Sequence, residues 1–538
     1  MMMAALALVG TMTTGCTNED LAKEAPQAKN DNNTVTLTTT ISLDGSATTR
    51  ALDAQGKKTF AVGDSVAIFY QNTNDEAKRA VTTPLQASDI TNNGKTAKFT
   101  VTLKDPKPKG AIRYVYPASM AETEITSVNS NENISSNFLL EQDGTLETIA
   151  SKFDLAIYDG NLTEKALLPA TATLKNQLAI AELTIKDYAG APINDQITKL
   201  DIHMNGNDYE LTRPATDNPT NDPIYVAMFP SPSGSTKDSI TVTATTNDGT
   251  YERDFKFTLA ANNIYPLSVK TFKVVNVTEL TIPENETSGE YTAQNGEMLT
   301  GTITTKRIAI KIASGADVAL KNLTIDYEAP PGSNYYFYVS GITCLGDATI
   351  ILEGTNKVKA FGGDFPGINV HSNGSENDYT LTIKGDGSLE AIGQSGGAGI
   401  GGVKTGACGN IVIESGSITA TGSSGGAGIG SGYEGSCGTI TINGGTVTAT
   451  GGNSAAGIGT GDAEEGNSSC GSITIINRVK KVTAKRGTGA RYCIGRGRDK
   501  QNSTCGEVII GGTVYWDGTA FRNDCEPRLY QDEFVYQP

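Results

Sequence analysis

Four cysteines, Cys408, Cys437, Cys470 and Cys505, are each followed by glycine and then a short apolar run, as in Cys437-Gly438-Thr439-Ile440-Thr441-Ile442. Thiols in such a series could ligate a metal or join as disulfides. Stacked at sheet spacing, their Cα atoms would fall inside the bridging window of about 4.4–6.8 Å. The plainer account is that cysteine is a small apolar filler, among the residue types most often buried. Metal sites cluster their ligands rather than spreading one per repeat. The filler reading is therefore adopted, and no metal is expected. Cys493 and Cys525 lie off the series.

Other residue types with catalytic potential are sparse. The chain has two histidines, His203 and His371, and neither has a Cys, Asp or Glu cluster at ligand spacing. Both are expected in surface loops. Nothing resembles a nucleophile elbow. Asp462, Glu464 and Glu465 cluster in one segment, which reads as a solvated turn rather than a calcium site. Gly397-x-Gly399-x-x-Gly402 formally matches a dinucleotide fingerprint, but that motif needs a following helix and here a strand pattern follows. No catalytic residue and no cofactor are expected.

Two patches are candidates for ligand contact. Tyr335-Tyr336-Phe337-Tyr338 is an aromatic run on an expected strand. Alternation puts Tyr336 and Tyr338 on one face, where flat rings could stack on sugars or pack under a loop. The second patch runs from Arg478 to Lys500. It holds Arg478, Lys480, Lys481, Lys485, Arg486, Arg491, Arg496, Arg498 and Lys500 against one acid, Asp499, in a chain of net charge −16. Lys480, Lys481, Arg496 and Arg498 are the expected contacts for a polyanionic glycan. The same charges would also serve simply to keep a terminal repeat soluble.

The elements that must carry these residues repeat. Gly397-Ala398-Gly399-Ile400-Gly401 recurs around Ile429 and Ile458 at intervals of 29 residues, and more loosely around Ile494, 36 residues on. Such a period marks a repeat architecture. Each unit has two strand-like runs, for example 438–442 and 445–449, in which apolar residues alternate with Thr. Glycine supplies the corners. This pattern predicts coils of a parallel β-helix about 4.8 Å apart, with Ile400, Ile429, Ile458 and Ile494 in one internal column and the four cysteines in another. In β-helix enzymes that cleave acidic polysaccharides, carboxylates and a basic residue line the coils. Here the coil strands expose Thr and Ser.

The chain has 538 residues, enough for two to four domains. Its acidity argues against nucleic acid as a partner. The apolar run Ala4–Gly10 and the junction Gly15-Cys16 look like a bacterial lipoprotein signal, with Cys16 as the lipidated residue. An ordinary secretory signal is the alternative. No later segment approaches the 18 or so apolar residues needed to span a bilayer. Thr17-Asn18-Glu19-Asp20 resembles the surface-export signal of Bacteroides-type lipoproteins.

Further motifs follow in order. They are the alternating run 34–43, then Thr48-Thr49-Arg50-Ala51, Phe60 to Phe69 with Gly63-Asp64, and Val115-Tyr116-Pro117-Ala118-Ser119. Ile224 to Pro230 and Asn263-Ile264-Tyr265-Pro266-Leu267 complete the set. Together, behind a lipoprotein signal, residues 34–275 resemble the fimbrillin family of Bacteroides-type surface lipoproteins. The resemblance implies two transthyretin-like β-sandwich domains. It also implies proteolytic processing between Arg50 and Ala51 that opens a groove for a donor strand; a plain loop at Arg50 is the alternative. Residues 290–538 depart from that family and resemble repeat regions of adhesin-like and carbohydrate-binding surface proteins.

The expected organisation is all-β. A signal peptide (1–15) and tether (16–33) precede two β-sandwiches (34–165 and 166–275), a linker (276–289) and a parallel β-helix solenoid (290–538). The expected function is non-catalytic adhesion or glycan binding at the cell surface. The partners would be a glycan or other host or bacterial surface ligand, the outer membrane through a lipid anchor, and other fimbrial subunits. The alternatives are a pilus tip or structural subunit and a polysaccharide-degrading enzyme.

Overall fold

The computed structural model describes residues 33–43, 59–120, 142–153, 155–213, 220–231, 237–261, 263–284, 286, 288–327, 338–370, 372, 379–464, 466–498, 503–522 and 526–538. Cys16, Arg50, Ala51, Tyr336 and His371 lie outside the described residues. The fold is all-β. The described α-helices are short: Leu146–Lys152, with Thr145 Oγ1 accepting from the Thr148 amide, and Glu526–Leu529. No described helix is long and apolar enough to cross a membrane.

The chain forms two compact units. The first comprises Met1–Thr184, Ile193–Thr245 and Asp254–Val269. Within it, the alternating run Thr34–Leu43 is a strand, as its pattern predicts, with Leu37, Ile41 and Leu43 buried. It pairs antiparallel with Thr96–Lys104 and parallel with Thr171–Asn176, which completes the same sheet from beyond residue 165. Phe60 packs edge-on against Phe99 and Tyr116, with ring centroids 5.2 and 5.4 Å apart. A hairpin of Ile197–Met204 and Asn207–Thr212 follows, as does the antiparallel pair Ala179–Lys186 and Ile224–Met228. His203 stands on the exposed face of that hairpin, not in a loop. Its Nδ1 lies 2.6 Å from Asp208 across the strand pair, because the residues oppose one another at the turn.

The second unit comprises Ile185–Pro192, Thr246–Arg253 and Lys270–Pro538. Its parallel pairing begins before residue 290: Phe272–Asn276 pairs with Glu297–Ile303, and Val277 is fully buried. The outward face of these first coils is apolar, with Met298, Ala319 and Ile351 in register beside Phe272. Tyr188 covers them. Its ring stacks on Phe272 at 4.6 Å and its hydroxyl donates to Asp317 at 2.6 Å. Burial of this kind removes apolar surface from water at about 25 cal/mol per Å².

From residue 400 each turn of chain adds four strands, for example Ile429–Gly430, Ser436–Cys437, Ile440–Ile442 and Thr446–Thr450. Each joins its counterpart in the next turn, parallel and in register, until the end of the stack, where Lys481–Lys485 meets Glu533–Tyr536 antiparallel and Thr513–Trp516 folds back antiparallel on Val508–Ile510. Ile400 opposes Ile429, Ile429 opposes Ile458 and Ile458 opposes Ile494. The column continues the other way through Ile368, Ile342 and Ile310. Cys408, Cys437, Cys470 and Cys505 form the second column. The sequence pattern showed two strands per unit. The others, Ile–Gly and Xaa–Cys, are too short to show alternation.

Asp326 lies on an earlier coil, 2.6 Å from Lys357 Nζ and 2.7 Å from Lys359 Nζ. Burial works to raise its carboxyl pKa. The hydrogen bonds and charges of the two lysines outweigh that and hold it below the ordinary carboxylate range. A lowered folded-state pKa adds stability that is complete above the unfolded value of about 3.9 and is lost as pH falls through the folded value. Acid titration of stability should therefore be shallower below about pH 4 in Asp326→Asn than in the parent. Equal slopes in chemical denaturation at stepped pH would count against this.

Candidate functional site

The basic stretch unfolds its logic coil by coil. Arg498 sits one turn after Asp462 in the stack; its Nη2 donates to Oδ2 at 3.0 Å, and its Nε lies 2.7 Å from Oδ1 as an ion-pair contact without a hydrogen bond. Nη2 also donates to Ser454 Oγ at 3.0 Å. Arg496 lies with its guanidinium 5.0 Å from the Trp516 ring and 5.7 Å from that of Tyr492. The C-terminal segment supplies further acids. Asp532 pairs with Arg486 at 2.8 Å, Glu526 with Arg491 at 3.1 Å and Glu533 with Lys485 at 3.7 Å. Tyr492 donates to Glu526 at 2.8 Å, and burial and this bond push the Tyr492 phenol up to about 12.

Arg478, Lys480 and Lys481 remain at an exposed corner. Among the described residues no ion pair holds them. Lys481 opens the strand Lys481–Lys485 opposite Thr446, and the Lys480 amide donates to Gly445 O at 2.8 Å. Among the described residues of the stretch, the unpaired cationic surface is thus a corner of three. Arg496 and Arg498 do not join it, since their charge is engaged within the fold.

Tyr338 is 45% exposed. Its ring rests over Gly362, where an added Cβ would lie 2.3 Å from Tyr338 Cδ1, so glycine leaves the bed on which the ring lies. Tyr338 therefore offers a supported aromatic face, but it and the lysine corner are not brought into one described site.

A polar groove of about 670 Å³ crosses the sheet that carries the cysteine column. The cysteine side chains point inward and the residues before them point out: Ala407, Ser436, Ser469 and Thr504 oppose one another in register. Thr405, Glu434 and Asn467 complete the lining. Glu434 is oriented by the Gly466 amide, which donates to Oε1 at 2.6 Å. Tyr433 precedes it, with Lys404 Nζ 5.2 Å from its ring centre. Sequence reading missed this groove. The available signal was the small residue before each cysteine, together with extra residues between Gly459 and Cys470. The described residues contain no group of three or more His, Cys, Asp or Glu placed to hold a metal. The Gly397–Gly402 phrase runs into the strand Ile400–Gly401.

Neither a family model nor a curated protein matches the sequence. Among solved structures, the chain is similar to a fimbrial assembly protein from Parabacteroides distasonis at 12% identity and TM-score 0.25, covering 43% of this chain and 90% of that one. It is also similar to a candidate cell adhesion protein from Bacteroides uniformis at 11% identity and TM-score 0.25, covering 44% and 94%. A third is a candidate polysaccharide-binding protein from Bacteroides thetaiotaomicron at 13% identity and TM-score 0.23, covering 39% and 76%.

Proposed function

We propose that this chain is a non-catalytic surface adhesin whose coil stack is a parallel β-helix that binds a glycan in the groove over the cysteine column. The observation that carries this reading is the line of Ser436, Ser469 and Thr504, which places side-chain hydroxyls on successive coils. Their spacing is about 4.8 Å. Hydroxyls, the Asn467 amide and the Glu434 carboxylate give donors and acceptors to an extended chain of sugar hydroxyls. The first unit, with its fimbrillin-like motifs, would form two sandwich-like domains. Lipid on Cys16 would hold the protein to the outer membrane. Glu434 makes the groove better suited to neutral glycans, and the Arg478, Lys480, Lys481 corner would add affinity for anionic ones.

A glycan array probed with the whole chain tests this. The second unit includes 185–192 and 246–253, so a fragment starting at 276 would lack part of its fold. Binding of a neutral glycan should be lost when Ser469→Tyr fills the groove. Retention on an anionic column should weaken with salt, because exposed charges are screened beyond about 8 Å at physiological ionic strength. Lys480→Glu with Lys481→Glu should abolish that retention. An array blank for every glycan, or neutral binding unchanged in Ser469→Tyr, would refute the groove reading.

A further inference from the structure

The cysteine column is not uniform. Cys408 and Cys437 both aim their thiols at one backbone oxygen, Gly409 O, at 3.3 and 3.5 Å. The Cys470 thiol points at the Cys505 sulfur 3.0 Å away, on the neighbouring parallel strand where the two residues are directly in register, and the Cys505 thiol lies 3.8 Å from Gly471 O. Parallel neighbours sit about 4.8 Å apart at Cα, inside the window of about 4.4–6.8 Å that a disulfide spans. A disulfide bond is about 2.05 Å long, so closure asks for about 1 Å of approach between the two sulfurs. The pair also lies toward the end of the stack. Cys470 and Cys505 are 5% and 7% exposed, while Cys408 and Cys437 are fully buried. Reagents therefore reach the last pair most readily.

We propose that Cys470 and Cys505 are a disulfide-forming pair that cross-links the last two coils, while Cys408 and Cys437 remain thiols. The co-reactant is a disulfide, either a small molecule or a protein oxidant. One thiolate attacks the oxidant's disulfide, giving a mixed disulfide and releasing one oxidant thiol. The second cysteine attacks the mixed disulfide and releases the other. Two S–H bonds are lost and one S–S bond forms. The two electrons and two protons leave on the reduced oxidant. The closed loop runs from 470 to 505 and contains the Arg478, Lys480, Lys481 corner as well as Arg496 and Arg498. Oxidation would restrain the unfolded chain across this segment, which is the usual source of disulfide stabilisation.

The test uses the whole folded chain incubated with oxidised glutathione. It is then denatured, alkylated without reductant and mapped by peptide mass spectrometry. The expected product is a Cys470–Cys505 linked peptide lighter by two hydrogens than the separate thiols, with Cys408 and Cys437 recovered alkylated. The thermal midpoint of the oxidised parent should fall on adding reductant, and Cys505→Ser should show no such shift. Recovery of Cys470 and Cys505 as alkylated thiols after oxidation would overturn the proposal. So would cross-linking of Cys437 with Cys470 or Cys408 in comparable yield, because the reaction would then not be selective for this pair.

Discussion

Gly430→Ala should unfold the coils around it, lowering stability by more than about 4 kcal/mol, in the range reached only when packing or backbone geometry fails outright. Gly430 has φ +136°, where side chains are strained, and an added Cβ would lie 1.9 Å from Gly459 O. The strain alone costs on the order of 1–3 kcal/mol. The clash is with a backbone carbonyl of the next coil, which has no rotamer to move to. Gly401 and Gly459 are placed alike, with φ +139° and +132°, so the constraint runs along the stack. Units of a repeat protein lean on their neighbours, and damage spreads to them. Trp516, the sole tryptophan, pairs with Val508 near the end of the stack and gives a fluorescence readout. The unfolding free energy from its urea melt should drop sharply in Gly430→Ala and stay within about 0.5 kcal/mol of the parent in the surface variant Thr448→Ala. An unchanged midpoint in Gly430→Ala would mean the coil register is wrong.

Arg498→Ala should cost about 3–5 kcal/mol, the usual consequence of leaving one partner of a buried ion pair behind. Asp462 has only 6% of its side chain exposed and meets Arg498 through both oxygens. The contact of Arg498 with Glu464 at 3.6 Å is at the rim and adds little. Replacing the pair together, Asp462→Leu with Arg498→Met, should recover most of the loss, since apolar substitutes for buried ion pairs are often neutral or better. Lys481→Ala should change stability by no more than about 0.5 kcal/mol. Thermal or urea melts of these variants separate a brace from a binding charge. If Arg498→Ala is as stable as Lys481→Ala, Arg498 is not a brace.

The columns of isoleucine and cysteine from residue 400 onward were legible because glycine phrases mark each turn. Ile310, Ile342 and Ile368 stand in the same column without such phrases, and the sequence alone did not show them. The motif from Phe60 to Phe69 carried no strand boundary in its sequence, and only its end lies in a strand, Ala67–Gln71. Phe60 is buried ahead of it in a turn where Asp64 accepts from the Ala61 amide and from the Tyr116 hydroxyl. The basic stretch was legible as charge but not as surface. Its acids come from one coil earlier and from the chain end, Asp462, Glu526, Asp532 and Glu533, and linear distance hides such pairing. The groove was least legible, since the small residues before the cysteines form a line only once the turns stack in register, and its rim depends on the length of a loop.

That loop length has a consequence for what the stack tolerates. From the column isoleucine to the column cysteine the chain takes eight residues in the turns 400–408 and 429–437, then twelve in 458–470 and eleven in 494–505. The register of both columns is the same throughout. The last two turns therefore carry three or four extra residues between the columns without a shift in the register of either. Chain length at this rim can vary without disturbing the columns. The same rim is the natural place to graft a foreign recognition loop.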